Sequence, residues 1–510
     1  MSEHLRAFLV VSALMVIAYF ISKKLFVRAV EPGFIPRLYG AGFAATTSMF
    51  LAHNMWLFLG GLTFVSVIAA RRFAHPLALF VFLFLLMPGF TVLVPGFGLI
   101  NYLIDLNPWR VLTLTLLLPV AVGLLGNQRM PKAGSLWADK CVIAFALFTS
   151  YMAYQHYATF TGGLRHLTIL MLDMILIYFV ASRVMAQRIA ARHVMVALVA
   201  AAIFLALVGA FEFAKHWLLY SNVKRVLGAN PGLFGYLGRG DTLRASATTG
   251  QPIVLGFIMM VALLASLYVR QLVQPGVHRK ALLALMAMGL VAAMSRGPWV
   301  GAVVGLFVVA IFSANPVVNS IKLALAAFAS AIALVMLPGG EKILNYLPWV
   351  GAVDASNITY REDLFEQAKL VISQHLWTGS IGYTELPEFD VVRQGGGFVD
   401  IVNSYLGVVL TYGLTGLTLY VLLLLSAVFA LTAAVLRTRH VPSEQGQLFL
   451  MGLSVIVAAA VTIWTVSSIS HIGSLVFFLI GFGVAAGNQA MWKPNSTSHV
   501  YRPSGVRVAG

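Results

Sequence analysis

One cysteine in 510 residues, Cys141, leaves no partner for an intramolecular disulfide and excludes a cysteine-rich metal site. Charge is almost as scarce. Only 10% of the residues are Asp, Glu, Lys or Arg against 60% hydrophobic, and a water-soluble fold of that composition would lack the polar surface to cover its core. Acidic side chains are the rarer sign, 17 against 34 basic, which leaves a net charge of +17. The basic residues form no run; they are scattered among the ends of apolar segments, which points to membrane orientation and anionic lipid rather than nucleic acid. No internal repeat is evident, which argues against a transporter or flippase built from repeated halves.

What the chain has in abundance is apolar runs near the 20 or so residues a membrane helix needs, since no water in a bilayer core can satisfy free backbone groups. Hydropathy windows place about fourteen, from Phe8–Ile21 to Ile472–Ala486, with Leu77–Val94 and Ile401–Leu436 among them. The expected fold class is therefore all-α, a polytopic integral membrane protein of about 12–14 transmembrane helices. Its expected divisions are N-terminal transmembrane helices over 1–200, central ones over 201–337, a large loop over 338–400, C-terminal transmembrane helices over 401–490 and a cytoplasmic tail over 491–510. No small-residue cleavage site follows the first run, and Lys23-Lys24 comes next, so it reads as a retained helix. Arg71-Arg72, Arg188, Arg192, Arg270, Arg279-Lys280, Arg437 and Arg439 fall on one side when the runs alternate, and the positive-inside rule makes that side cytoplasmic. Lys23 and Lys24 violate the rule unless an extra half-helix lies near Gly40–Leu51.

The opposite, periplasmic side receives two long polar connections, Lys215–Gln251 and Pro338–Asp400, where a soluble working surface is expected. Thr359-Tyr360-Arg361-Glu362 has the form of a capping box. Leu364, Phe365, Ala368, Ile372 and Leu376 recur at helical spacing after it, which predicts an amphipathic helix over Tyr360–His375 lying on the bilayer or roofing a cavity. Beyond it, glycines at 379, 382 and 395–397 permit tight turns and close backbone approach. Asp173, midway in its span, is expected to pair with an inward-facing cation or polar group.

Several of these polar pieces form a series. Arg244-Ala245-Ser246-Ala247-Thr248-Thr249-Gly250-Gln251-Pro252 opens one span, and Ser295-Arg296-Gly297-Pro298-Trp299 separates two others. Arg361 begins the loop helix, and Asn403-Ser404-Tyr405-Leu406 precedes Tyr412-Gly413-Leu414-Thr415-Gly416. In order and spacing this resembles the O-antigen ligase and O-antigen polymerase superfamily over roughly Arg244 to Tyr420. The resemblance implies a glycosyltransferase of the bacterial inner membrane that joins undecaprenyl-diphosphate-linked glycan to a glycan or lipid acceptor at the periplasmic face. The membrane lipids, and a chain-length regulator for the polymerase case, are the further partners considered; neither metal nor other cofactor is called for.

Such a reaction displaces a lipid diphosphate from an anomeric carbon. Guanidinium groups suit the dianion because they stay charged and grip phosphate oxygens in pairs, so Arg296, Arg361 and Arg244 are the candidate diphosphate contacts. Asn403, Tyr405 and Gly382 are candidate substrate contacts. A leaving diphosphate needs no general acid, but the attacking hydroxyl benefits from a base. Ligases of the superfamily carry a His immediately before the Asn of the Asn-x9-Gly motif; this chain has Val402, which cannot take a proton and tilts the reading toward a polymerase. The substitute bases are Asp400, Glu362, Glu212 and His471.

Overall fold

The computed structural model describes residues 2–98, 101–128, 130–157, 159–229, 238–239, 242–313, 315–336, 355–393, 399–439 and 443–491. The cytoplasmic tail expected over 491–510 lies outside the described residues from 492 onward, and so do the glycines at 395–397.

The chain is an all-α membrane protein. Its helices are α1 (Glu3–Phe26), α2 (Phe34–Leu51), α3 (Met55–Ala70), α4 (Pro76–Leu86), α5 (Pro108–Leu125), α6 (Trp137–Tyr157), α7 (Phe160–Val184) and α8 (Arg188–Lys215). They continue with α9 (Pro252–Leu272), α10 (Val277–Ala292), α11 (Arg296–Ile311), α12 (Pro316–Met336), α13 (Ala355–Gln374), α14 (Ser404–Thr438), α15 (Glu444–Ile463) and α16 (His471–Met491). Among the described residues eight are long and apolar enough to cross a membrane, and four shorter apolar helices bring the set to the lower end of the expected number. α8, α9 and α16 are the most enclosed. Phe20, Phe64, Leu147, Phe307 and Phe429 stand exposed on other helices, as a lipid-facing belt requires.

Two corrections concern the first hundred residues. The half-helix needed near Gly40–Leu51 is a whole helix, α2, which returns Lys23 and Lys24 to the same end as Arg71 and Arg72; Arg37 of α2 donates to the Arg72 carbonyl at 3.2 Å. The run Leu77–Val94 is helical only to Leu86, and its remainder leads into β1 (Val92–Pro95), which pairs antiparallel with β2 (Tyr102–Leu106). Hydropathy alone cannot distinguish these outcomes, because a short apolar run fits a helix or a strand alike.

Ion pairs tie one end of the bundle together. Arg188 and Arg192 of α8 reach Glu444 of α15 at 2.5 and 2.6 Å, Tyr268 of α9 donates to the same carboxylate at 2.8 Å, and His193 meets Glu31 at 2.9 Å. This is the basic face. The other end, the loop face, carries the β1–β2 hairpin, the connection after α8, the α10–α11 turn, α13 and the α15–α16 connection. Asp173 finds the cation expected for it: Arg110, at the start of α5, bridges Asp173 and Asp105 at 2.7 Å each, and Asp173 lies in a π-helical stretch, Met171–Ile175.

α13 covers the helix predicted over Tyr360–His375 but begins earlier, at Ala355, so Thr359 and Arg361 lie inside the helix rather than at its cap, and its apolar stripe is used differently. Leu364, Ala368 and Val371 pack on Phe389, Val392, Ile401 and Leu410 of the chain that follows, while Phe365 and Leu376 are left exposed. The stripe was expected to face the bilayer or a cavity; it closes a small protein core instead.

Candidate functional site

The loop face is organised around one short helix end. α4 stops at Leu86 and leaves carbonyls without intrahelical partners. Side chains from three distant segments satisfy them: His471 Nε2 meets Phe84 O at 3.1 Å, the Thr248 hydroxyl donates to Leu85 O at 2.7 Å, and the Trp109 indole donates to Met87 O at 2.8 Å. His471 is fully buried between the rings of Phe84 and Trp109, and its Nδ1 lies 3.0 Å from the Ser470 hydroxyl. Glu212 near the end of α8 is equally sealed. Its carboxylate accepts from the backbone N–H groups of Leu219 at 3.0 Å, Ser246 at 3.0 Å and Ala247 at 2.8 Å, which folds the Arg244–Gln251 segment back over the bundle.

That segment meets the arginine turn. Ala245 N–H donates to Ala292 O at 3.1 Å, so Arg244 is held beside the end of α10, two residues before the turn through Met294 and Ser295. The Trp299 indole closes the turn by donating to Leu290 O at 2.9 Å. Arg296 is the first residue of α11 and half-buried. Gly297, Gly301 and Gly305 recur every fourth residue on α11, and any side chain there would overlap Thr465, Thr462 and Leu264 respectively. Gly297 and Gly301 let α11 lie close against α15 and the chain just past it, and Gly305 makes room for Leu264 of α9, the small-residue packing that membrane helices use. The Ser454 hydroxyl fastens α15 to Gly305 O at 2.7 Å.

Arg296 is thereby set against the α15–α16 connection, and that connection gathers the rest of the site. Ser404 donates its N–H and its hydroxyl to Val466 O at 3.1 and 2.7 Å, Ser468 bonds the Ser404 hydroxyl at 2.8 Å, and Ser467 donates to Ile401 O. Asp400 stands beside Ser467, 3.4 Å from its hydroxyl. The Tyr360 hydroxyl accepts from Asp400 N–H at 2.9 Å and donates to Asp400 O at 3.1 Å, pinning this residue to the start of α13, where Arg361 follows. Burial pushes the half-buried Asp400 carboxyl above the usual carboxylate range, while the Ser467 hydroxyl and the charge of Arg361 pull it back. Arg361 and Glu362 are exposed.

The other expected contacts are largely committed to structure. Asn403 caps α14, its side-chain oxygen accepting from Tyr405 N–H at 2.9 Å and Leu406 N–H at 3.2 Å. Tyr405 donates to Ala460 O at 3.0 Å and packs on Trp464. Gly382 lies against the His156 ring at the end of α6, and Val402 packs on the small core beneath α13.

The Asn-x9-Gly spacing has a mechanical explanation. α14 breaks at Gly413, whose φ of 64° and ψ of −169° are closed to other residues. The break frees Leu410 O and two N–H groups, and the loop supplies all three partners: Ser380 N–H donates to Leu410 O at 2.8 Å, Leu414 N–H to Leu376 O at 2.8 Å and Thr415 N–H to Trp377 O at 3.4 Å. A side chain on Gly413 would collide with the Trp377 backbone, and one on Gly379 (φ 65°) with the backbone of Tyr412 and Gly413. The loop is thus docked, backbone to backbone, into a notch in a membrane helix.

Residues 281–421 match the protein-family model described as O-antigen ligase. The match bears out the resemblance read from the sequence and takes in the Arg296 turn, α13, Asp400 and the notch; the Arg244–Pro252 segment lies outside it. It supports a membrane enzyme of surface-polysaccharide assembly. No curated protein matches the chain.

Sequence reasoning missed the α15–α16 connection apart from His471. Its signal was present as Thr465, Ser467, Ser468 and Ser470, four hydroxyls in six residues between two apolar runs, each able to answer a carbonyl that a membrane-embedded turn leaves open.

Proposed function

We propose that the chain is a glycosyltransferase that polymerises undecaprenyl-diphosphate-linked surface polysaccharide, O-antigen or exopolysaccharide, working at the periplasmic face of the bacterial inner membrane. The observation that carries this reading is the convergence on one small patch of the Arg296 turn, the Arg361 end of α13 and Asp400, all meeting at or beside the α15–α16 connection.

In this reading Arg296 and Arg361, with Arg244 beside the turn, hold the diphosphate of the donor. Asp400 takes the proton from the acceptor hydroxyl as that oxygen bonds to the anomeric carbon, and the carbon–oxygen bond to the diphosphate breaks. The negative charge that builds on the departing diphosphate is met by guanidinium groups already in place, which costs no reorganisation at the moment of reaction. Direct displacement inverts the anomeric centre. Asp400 is preferred over Glu362 because it is held on both backbone atoms by Tyr360 and its raised carboxyl is a stronger base than an ordinary one. Glu212 and His471 are assigned to the scaffold, since both are fully buried and committed to backbone or hydroxyl partners.

A ligase that passes the glycan to lipid A core is the second reading, favoured by the description of the matching family and opposed by Val402. Purified protein given lipid-linked repeat units alone separates the two: a polymerase builds a ladder of longer lipid-linked products, and a ligase builds none until lipid A core is added. Transfer at the wild-type rate when Arg296 and Arg361 are both replaced by Ala would overturn the diphosphate assignment.

A further inference from the structure

The corner where α13 gives way to the following loop carries large apolar side chains that stand exposed among the described residues. Trp377 is 66% exposed and Leu376 39%, although the backbone of both is bonded into the α14 notch. Their height relative to the bundle follows from the two helices beside them. Beyond the break, Leu414–Thr438 of α14 rises about 37 Å at 1.5 Å per residue, and Glu444–Ile463 of α15 about 30 Å, each enough to cross a hydrocarbon core of about 30 Å. α14 ends and α15 begins at the basic face, so Leu414 and Ile463 stand at the level where the helices leave the apolar layer. Leu376 and Trp377 are bonded to Leu414 and Thr415, and therefore sit at that level. Other exposed aromatics occupy the same end of their helices: Trp464 just past α15, Tyr157 at the end of α6 and Phe160 at the start of α7. Trp and Tyr collect at this depth in membrane proteins because an amphipathic ring suits the headgroup layer.

We propose that the Leu376–Trp377 corner is a membrane-interface anchor, seated in the headgroup layer of the bilayer and fixing the height of the loop over the lipid surface. Its occupant is lipid: the corner continues the exposed apolar belt of the bundle, and the inner stripe of α13 is already spent on protein. The proposal does not depend on the catalytic reading.

With Cys141 replaced by Ala, single cysteines at Trp377→Cys, Phe20→Cys and Glu366→Cys carry a nitroxide in proteoliposomes, and collision with oxygen and with a water-soluble nickel chelate is compared. Phe20 belongs to the lipid belt and Glu366 to the outer face of α13, and both are exposed. The ratio of oxygen to chelate collision at 377 is expected to fall between the high value at 20 and the low value at 366. Chelate dominance at 377 equal to that at 366 overturns the proposal, and so does spin–spin broadening at 377, which would make a second copy the occupant. Should Trp377→Cys fail to fold, quenching by brominated lipid gives the same answer: wild-type protein should lose more fluorescence than Trp377→Phe, and equal loss contradicts the anchor.

Discussion

Glu212 and Asp400 are two carboxylates on one face of one protein, and their surroundings differ in every respect that matters to chemistry. Glu212 has no exposed surface and three backbone N–H donors. Asp400 is half-buried, leans on one hydroxyl 3.4 Å away, and feels the charge of an exposed arginine. The first arrangement holds a chain segment in place; the second leaves a proton acceptor within reach of something outside the protein. The same contrast divides His471, sealed between Phe84 and Trp109, from Arg361. On the proposed mechanism, residue type alone does not separate builders from reactants on this face; access does.

The comparison can be broken most forcefully at the open side. Arg296→Ala and Arg361→Ala should each slow transfer on the order of 100-fold or more, the usual cost of removing one stabiliser of developing charge, with little change in melting temperature. A radiolabelled lipid-linked donor and a thermal-shift assay in detergent measure the two quantities.

Between the two sides lies the notch. Gly413→Ala forces a side chain into a backbone conformation worth about 1–3 kcal/mol of strain and into the Trp377 backbone, so the loop should undock. Limited proteolysis within 376–393 should accelerate while the membrane helices stay intact.

On the sealed side, Glu212→Gln removes charge-assisted bonds from three buried N–H groups and should cost about 1–3 kcal/mol of stability. A lowered melting temperature with an unchanged rate per folded molecule is the expected pair of results.

The smallest effect is a shift in pH dependence. The base must be ionised, so the rate should fall as pH drops through the carboxyl's elevated pKa. Arg361 favours the ionised form, so Arg361→Lys should leave that acid limb near its wild-type position and Arg361→Ala should move it to higher pH. An unmoved limb in both variants would detach Asp400 from Arg361.

How much of this was legible beforehand depended on whether a signal was local. The all-α class, α13 and the cation for Asp173 could be read because a helix-length apolar run, apolar residues at helical spacing and a lone buried charge each carry their meaning in a few residues, whereas the capping box at Thr359 misplaced the start of α13, which begins at Ala355. The Arg296 turn was legible as a break between runs, but its closeness to Thr465 and Val466 was not, since that depends on glycines 297 and 301 drawing α11 onto a helix far along the chain. The notch is similar: Gly379 and Gly413 each look like an ordinary flexible point, and only together do they make a socket. Glu212 and His471 were chosen for their chemistry, and burial, which no single sequence position declares, is what removed them from the reacting set.

The claim that access divides these residues is tested most directly by one pair of rates. Asp400→Asn and Glu212→Gln, purified and normalised to folded protein, would be given the lipid-linked donor and its acceptor at pH 7. Loss of a general base typically costs 100-fold or more, so the Asp400 variant should fall by about that factor while the Glu212 variant keeps the wild-type rate. A wild-type rate from Asp400→Asn, or a collapse from Glu212→Gln in protein that remains folded, would contradict the account.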